Sequence, residues 1–259
     1  MAVKNNLGDR MKGYEQISKH ALIHRMPVII RLDGNAFHTF TRGFKKPFDE
    51  VFSKSMQETM QHLCENIAGC VFGYTQSDEI TLVLVDYQTY STSAWFDNEI
   101  QKICSISASM ATLAFNKYFK NNVCKVADSS ADFILTTIYN NAIAKGGMFD
   151  SRCFNIPKEE VANCLIWRQQ DAVRNSIQAT AQCNFSHAQL QHKNCDQLQE
   201  MLFQEKGINW NNTPTKFKRG SCCIKQFDEI KNRNKWVIDN EIPIFTQDRN
   251  YIEKYIIFD

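Results

Sequence analysis

Val28-Ile29-Ile30-Arg31-Leu32-Asp33-Gly34 and Gln76-Ser77-Asp78-Glu79-Ile80 decide how the rest of the chain is read. The first is an apolar, β-branched run that ends in a carboxylate and a glycine. The second is a polar turn with two adjacent carboxylates, set between apolar runs at 67–74 and 80–85. Runs of this kind read as buried strands, and a short polar link between two of them reads as a hairpin. Carboxylates on separate strands can converge. A converged pair suits Mg²⁺ that also holds nucleotide phosphates, which points to metal-dependent nucleotidyl transfer.

Outward from these motifs, 9–24 reads as a helix and Pro27 fixes entry to the strand at 28–32. The stretch 35–47 is loop-like. Val51, Phe52, Met56, Met60 and Leu63 then repeat at helical spacing within 49–66. Ile100, Ile103, Ile106, Met110 and Leu113 form one stripe of a long helix at 94–119. After an ambiguous stretch, 152–156 reads as a strand stopped by Pro157. A helix at 158–182 follows, with Glu159 and Glu160 in its first turn, where the helix dipole favours them. The order is β-α-β-β-α-β, an α+β ferredoxin-like motif with helices on one sheet face and the other face open for a site. Beyond 183 the chain predicts polar helices, irregular segments and a basic stretch. The expected division is a core at 1–182 and a C-terminal region at 183–259.

Composition narrows the class. Of 259 residues 43% are hydrophobic, enough for a sizeable core, and the net charge is only +2. Nucleic-acid contact therefore has to come from local basic clusters rather than a global field. Ten cysteines include no C-x-x-C pair, so zinc ligation has no support. Cys64, Cys104 and Cys164 fall in apolar-periodic segments and read as small core residues. The opening at 1–6 is polar, unlike a signal peptide, and no apolar run reaches membrane-spanning length. A reduced cytoplasm is the expected compartment, with no membrane partner.

Each candidate residue has a plain reading beside the chemical one. Asp33 and Gly34 are common turn residues, yet Gly34 also lets backbone approach a ligand, and its carbonyl can join Asp33 as a metal ligand. The loop Asn35, Ala36, Phe37 and His38 offers backbone N–H groups to phosphates. Asp78 and Glu79 are either a solvated hairpin tip or, respectively, a metal ligand and a supporting carboxylate, since strand neighbours face opposite ways. Lys45 and Lys46, and Lys102 in the long helix, are either solvated or triphosphate contacts. Arg168, Asp171 and Asn175 share one helix face, as a phosphate or RNA-end contact or as an internal salt bridge. Lys216, Lys218, Arg219, Lys225, Lys231, Arg233 and Lys235 interleave with Phe217, Phe227 and Trp236, a pattern that suits RNA. His20 and His24 lack a third ligand nearby and read as surface histidines.

These residues also resemble a known family. Arg31-Leu32-Asp33-Gly34-Asn35-Ala36-Phe37-His38 with Lys46-Pro47-Phe48-Asp49, and Gly73-Tyr74-Thr75-Gln76-Ser77-Asp78-Glu79, are similar to the two signatures of the tRNA-His guanylyltransferases. Phe149-Asp150-Ser151-Arg152, Trp167-Arg168-Gln169 and Asn209-Trp210-Asn211-Asn212 near Lys218-Arg219-Gly220 resemble later landmarks. The resemblance implies a polymerase-like palm working 3′-to-5′. In that reaction ATP activates a tRNA 5′-monophosphate, and the 3′-hydroxyl of an incoming nucleotide attacks the activated end. It implies two Mg²⁺ ions on Asp33, the Gly34 carbonyl and Asp78, and catalytic roles for Asp33, Asp78 and Glu79. Nucleotide contacts would come from residues 33–38, Lys46, Ser77, Asp78, Lys102 and Asn175, and RNA contacts from Arg152, Arg168, Arg174, Lys218 and Arg219. ATP, GTP and other NTPs are the expected substrates, tRNA the partner, and a homotetramer the assembly.

Two departures shape the expected function. The eukaryotic enzymes carry His-Ile-Asn-Asn where this chain has Val173-Arg174-Asn175-Ser176, and an arginine of their phosphate-binding helix appears here as Glu99. Both departures fit the bacterial or archaeal-like branch, whose members restore missing 5′ nucleotides against a template. The expectation is therefore template-dependent 5′-end repair of tRNA. Alternatives are addition of a single G to tRNA-His, a palm-type nucleotide cyclase, and a non-enzymatic RNA-binding protein. The glycine-glycine-acid-acid-Phe hairpin of the cyclases is absent.

Overall fold

The structure is a computed structural model and describes residues 6–127, 132–229 and 231–257. The polar opening at 1–5 lies outside the described residues. The N-terminal half runs α1 (Asn6–Ile17), β1 (Val28–Asn35), α2 (Phe37–Phe40), α3 (Glu50–Asn66), β2 (Cys70–Gln76) and β3 (Glu79–Leu84). Then come α4 (Ile100–Ala127), α5 (Phe133–Lys145), β4 (Met148–Asn155) and α6 (Lys158–Gln182). The remainder is α7 (His187–Leu190), α8 (Cys195–Lys206), α9 (Thr215–Arg219), β5 (Ser221–Asp228), β6 (Arg233–Asp239) and α10 (Asn250–Glu253).

The antiparallel sheet has the order β4-β1-β3-β2-β5-β6. Its first four strands are the ferredoxin-like arrangement expected from the sequence. Strand alternation sorts the apolar residues into two layers. Ile30, Leu32, Ile80 and Leu82 face α3 and α4, where they meet Met56, Met60, Leu63, Ile103, Phe115 and Phe119. Phe37 sits at the centre of the aromatic part of this layer, with ring centroids 5.0 Å from Phe40 and Phe149 and 5.2 Å from Phe115. Gly73 allows α3 to close on β2, because a Cβ there would lie 2.5 Å from the Cys64 sulfur.

The second face is not open, contrary to the expectation. Ile29, Phe72, Tyr74 and Val83 are covered by Val161, Ala162 and Leu165 of α6 and by Ile242, Phe245, Ile252 and Ile256 of the C-terminal segment. Every residue of β2 is buried in consequence. The region read as helical and irregular beyond 183 contributes β5 and β6 to the same sheet. Alternation there was hidden by the basic residues that dominate their exposed ends. A smaller core joins the C-terminal half of α6 to α8 through Ile177, Ala181, Leu198, Leu202 and Trp210. Helix α1 ends at Ile17 rather than near 24. The chain after it is held extended, with Leu22 donating its N–H to the Asn98 carbonyl (2.9 Å) and Ile23 to Asn155 Oδ1 (2.7 Å). The ambiguous stretch after 119 holds, among the described residues, the end of α4 and all of α5, while 128–131 lie outside them.

Candidate active site

The β2–β3 turn is only two residues long. Gln76 pairs with Glu79, leaving Ser77 and Asp78 at the tip, and Ser77 takes the left-handed conformation (φ 49°) that a tight hairpin demands. On the other side of β3, Asp33 stands directly opposite Glu79. Opposed residues in an antiparallel pair share a face, so these two carboxylates point to the same side. The ladder continues past them: the Gly34 N–H donates to the Asp78 carbonyl at 3.0 Å. Asp78 is thereby fastened to the end of β1. Its carboxyl is pushed above the ordinary range, first by burial and then by the charges of Asp33 and Glu79, against hydrogen bonds that lower it. Two motifs more than forty residues apart in sequence meet here, as the sequence reading requires.

Gly34 has a steric reason beyond its carbonyl. A Cβ at this position would lie 2.5 Å from Cδ2 of Phe37, whose ring is buried. The turn after it passes through Ala36 in the left-handed region (φ 56°), and Thr39 and Phe40 donate to the Ala36 carbonyl. The Phe37 side chain belongs to the core, so its nucleotide contact is confined to the backbone. Asn35, Ala36 and His38 are exposed.

Glu79 is held by three donors. Arg31 lies 3.5 Å away, Gln76 Nε2 3.2 Å and Arg168 of α6 2.8 Å. Arg168 also contacts Asp171 at 2.7 Å, and Asp171 in turn pairs with Arg174 and accepts from Asn175 Nδ2 at 3.4 Å. The helix face of Arg168, Asp171 and Asn175 is thus an internal salt-bridge network and, through Glu79, part of the carboxylate site. Arg168 is only 4% exposed, which corrects its expected role as an RNA contact: it is committed to two carboxylates beneath the surface.

Next to the hairpin tip, a cavity of about 240 Å³ opens between the loop before α3, the turn, α6 and α9. Lys46, Ser77 and Asn175 all line it, so three residues expected to hold a nucleotide are brought together. Phe48 and Phe217, both in its lining, stack with centroids 4.8 Å apart, and Lys216 reaches Glu50 at 2.6 Å. Lys46 precedes Pro47 through a cis peptide bond. Asp49 closes the loop by accepting from the N–H groups of Phe52 (2.9 Å) and Lys45 (3.0 Å) and from the Tyr139 hydroxyl (2.7 Å). On the cavity wall Gln57 donates to Ser221 Oγ (2.9 Å) and Asn240 Oδ1 (2.8 Å). Asp33 and Asp78 do not line the cavity, whereas Gln76 and Ser77, next to Asp78 in the turn, do.

Other expected residues lie elsewhere. Lys102 is exposed on α4, pairs with Glu99 at 3.3 Å and does not line the cavity. Arg152 pairs with Asp150 at 2.9 Å on the exposed edge strand β4. Lys218 donates to the Asn211 carbonyl (2.6 Å) and Arg219 to the Ile242 carbonyl (3.1 Å). Burial and then Arg219 push the Lys218 ammonium below its usual range. The basic tract is split: Lys216, Lys218 and Arg219 sit on α9, while Lys225, Arg233 and Lys235 lie on the β5–β6 pair. His24 lies 3.3 Å from Asp86 and 3.4 Å from Asp97. Asp150, directly opposite Asp33 on β4, was not assigned to the carboxylate row from sequence; only its place in Phe149-Asp150-Ser151-Arg152 marked it.

Among the described residues no group of three or more His, Cys, Asp or Glu side chains is arranged to hold a metal ion. The set expected from the sequence has only two side chains, Asp33 and Asp78, with the Gly34 carbonyl as the third ligand. That suits Mg²⁺, which keeps several waters and takes further oxygens from phosphates. Burial first, and then the charges of Asp33 and Glu79, raise the Asp78 carboxyl, and a bound cation would offset all three. Among the described residues no helix is long and apolar enough to cross a membrane.

The family model for tRNA-His guanylyltransferase matches residues 8–157, from α1 through the ferredoxin-like strands. An uncharacterised protein of Acanthamoeba polyphaga mimivirus is 31% identical over 99% of this chain and 89% of its own length. A bacterial tRNA-His guanylyltransferase-like protein solved in complex with ATP is 42% identical, with a TM-score of 0.85 over 98% of this chain and 100% of that one. A second such structure, in complex with GTP, gives 40% identity and a TM-score of 0.81 over the same shares. With both signatures meeting at one turn and the match running through the whole ferredoxin-like core, the chain belongs to the tRNA-His guanylyltransferase family of nucleotidyltransferases.

Proposed function

We propose that the chain adds nucleotides to the 5′ end of tRNA in the 3′-to-5′ direction, templated by the opposite strand, and so repairs truncated 5′ ends. The observation that carries this reading is the meeting of Asp33 and Asp78 beside a cavity lined by Lys46, Ser77 and Asn175. The relatives solved with ATP and with GTP support a triphosphate in each of two steps. In the first, a 5′-monophosphate oxygen attacks the α-phosphorus of ATP; pyrophosphate leaves and the RNA end is adenylylated. In the second, the 3′-hydroxyl of the incoming NTP attacks the 5′-phosphorus and AMP leaves.

Asp33, Asp78 and the Gly34 carbonyl would hold two Mg²⁺ ions, which when bound supply activation of the attacking oxygen and neutralisation of the leaving group. The protein's own contribution is placement. Glu79, clamped by Arg31 and Arg168, fixes the turn that carries Asp78. Lys46 adds a point charge toward phosphate. Asn175 offers an amide to the cavity from α6. Arg152 and Arg174 are exposed cations available to the tRNA backbone, and the half-buried α9 lysines lie beside the cavity. A homotetramer in the cytoplasm belongs to the same reading.

The deciding experiment combines Mg²⁺, ATP and the four NTPs with a 5′-monophosphorylated tRNA lacking its first nucleotides. Template-matched growth at the 5′ end is the expected product, lost in Asp33→Asn and Asp78→Asn while both variants stay folded. Addition of one G to tRNA-His alone would favour the narrower alternative. No 5′ product, or full activity in either variant, would overturn the reading.

A further inference from the structure

Trp167 is 51% exposed on α6, yet two cations lie against it. The Arg31 guanidinium is 5.2 Å and that of Arg168 4.4 Å from the indole centroid. Neither arginine is free to wander, because Glu79 holds both and Asp171 holds Arg168 as well. The ring is therefore a fixed, solvent-facing aromatic surface framed by positive charge. Nucleobases stack on such aromatic and guanidinium planes, and the phosphates beside them are drawn to the same cations.

Position along the site says which base this is. Arg31 and Asp33 lie two residues apart on one face of β1, a rise of about 7 Å. The surface under Trp167 is thus within a nucleotide's reach of the carboxylates. On α6, Trp167 and Asn175 are eight residues apart, about 12 Å along the helix, and Arg168 and Asp171 with their link to Glu79 lie between them. Asn175 belongs to the cavity with Lys46 and Ser77. Trp167 belongs to the opposite side of the carboxylates, where register places Arg152 of the edge strand β4 directly opposite Arg31.

We propose that Trp167, framed by Arg31, is the stacking platform for the 5′-terminal base of the acceptor RNA, with Arg152 toward its backbone. The triphosphate then occupies the Asn175 side and the RNA end the Trp167 side, with Asp33 and Asp78 between them. This rests on the 5′-addition reading but is separable from it, because the platform acts on RNA binding without any chemistry.

The test uses the full chain and a 5′-monophosphorylated tRNA lacking its first nucleotide. RNA affinity is measured by filter binding without NTPs, and the KM for the NTP is measured in turnover. Trp167→Ala is expected to weaken RNA binding about tenfold, with Trp167→Phe within about threefold of wild type and the triphosphate KM unchanged in both. RNA should quench the indole emission of the wild type, and the quenching should be smaller in Trp167→Phe, which keeps the other three tryptophans. Unaltered RNA affinity in Trp167→Ala would overturn the proposal. So would a raised triphosphate KM at unchanged RNA affinity, or a change in solution mass alone, which would mean that a second copy covers the ring. If the wild type binds RNA through Trp167 but adds no nucleotide, the addition reading falls and the platform stands.

Discussion

Arg168 Nη2 lies 2.8 Å from Glu79 Oε2 and 2.7 Å from Asp171 Oδ2, so a single guanidinium joins the hairpin that carries Asp78 to the helix that borders the cavity. All three groups are largely buried, with side-chain exposures of 5%, 19% and 16%. Removing the cation leaves two carboxylates facing one another in a poorly solvated site. Arg168→Met should cost about 3 kcal/mol in urea denaturation, as expected for breaking a buried pair. Arg168→Lys should recover less than half, because the shorter lysine stem does not carry its ammonium to the Nη2 position from which both acceptors are reached. A loss below about 1 kcal/mol in the Met variant would show that the bridge does not hold α6 to the turn.

The Asp78 carboxylate is costly to the fold as long as its charge is uncompensated, since burial and the neighbouring Asp33 and Glu79 all disfavour it. Asp78→Asn should therefore melt higher than wild type at neutral pH in divalent-free buffer. Added Mg²⁺ should raise the melting temperature of the wild type by mass action and leave the variant nearly unmoved. Equal Mg²⁺ shifts in the two proteins would remove Asp78 from the metal site, and no activity measurement is needed to see it.

Gly34 is constrained by packing. The added methyl of Gly34→Ala would sit 2.5 Å from the Phe37 ring, and that ring is wedged among Phe40, Phe115 and Phe149. Overpacking of this kind should cost about 1–3 kcal/mol in urea denaturation. Phe37→Leu in the same chain should return part of the loss. An unaltered midpoint for Gly34→Ala would mean that the loop yields at no cost.

Much of this was legible in the residues. The β1 run, the α3 stripe and the carboxylate pair at 78–79 follow from local spacing, which reports burial directly, and they place the ferredoxin-like core. What the residues concealed was long-range. Alternation in β5 is masked because its outer half runs beyond the β2 pairing, which covers only Ser221, Cys222 and Cys223. That half therefore presents Lys225 and Gln226 to solvent. The closure of the second sheet face was equally hidden: the sequence marks α6 only as a helix with an acidic first turn, and tertiary packing lays it over Phe72 and Tyr74. Arg168 looked like a surface cation because its spacing to Asp171 fits a surface pair as well as a buried one. The signal that distinguishes them, the carboxylate of Glu79 across the sheet, is not local.

Lys46 and Asn175 approach the cavity from separate elements, the loop before α3 and helix α6. Each should contribute to holding a triphosphate and neither to gripping RNA. Lys46→Ala and Asn175→Ala are expected to raise the KM for the nucleotide about tenfold, the size of one charge-assisted hydrogen bond, with RNA affinity unchanged. A loss of RNA binding at constant nucleotide KM in either variant would assign that residue to the other side of the carboxylates.

The loop that presents Lys46 is itself anchored from a distance, and that anchor carries a pH signature. The Tyr139 hydroxyl on α5 donates to Asp49 Oδ2 at 2.7 Å, while the same carboxylate caps α3 through Phe52. Burial first, and then the bond and charge of Asp49, hold the Tyr139 phenol well above its usual range. Below about pH 10 the phenol is protonated in the folded and the unfolded chain alike, and the bond contributes fully. Above that pH the unfolded chain releases the proton and the folded chain keeps it. Folding then takes up a proton, and its free energy weakens as pH rises. Tyr139→Phe removes both the bond and the titration. At pH 8 the variant should be about 2 kcal/mol less stable than wild type in urea denaturation, since the lost bond is to a charged group. At pH 11 that gap should narrow, because only the wild type continues to lose stability through this residue. A gap that stays constant or widens would show that Tyr139 does not hold the Lys46 loop through a protonated phenol.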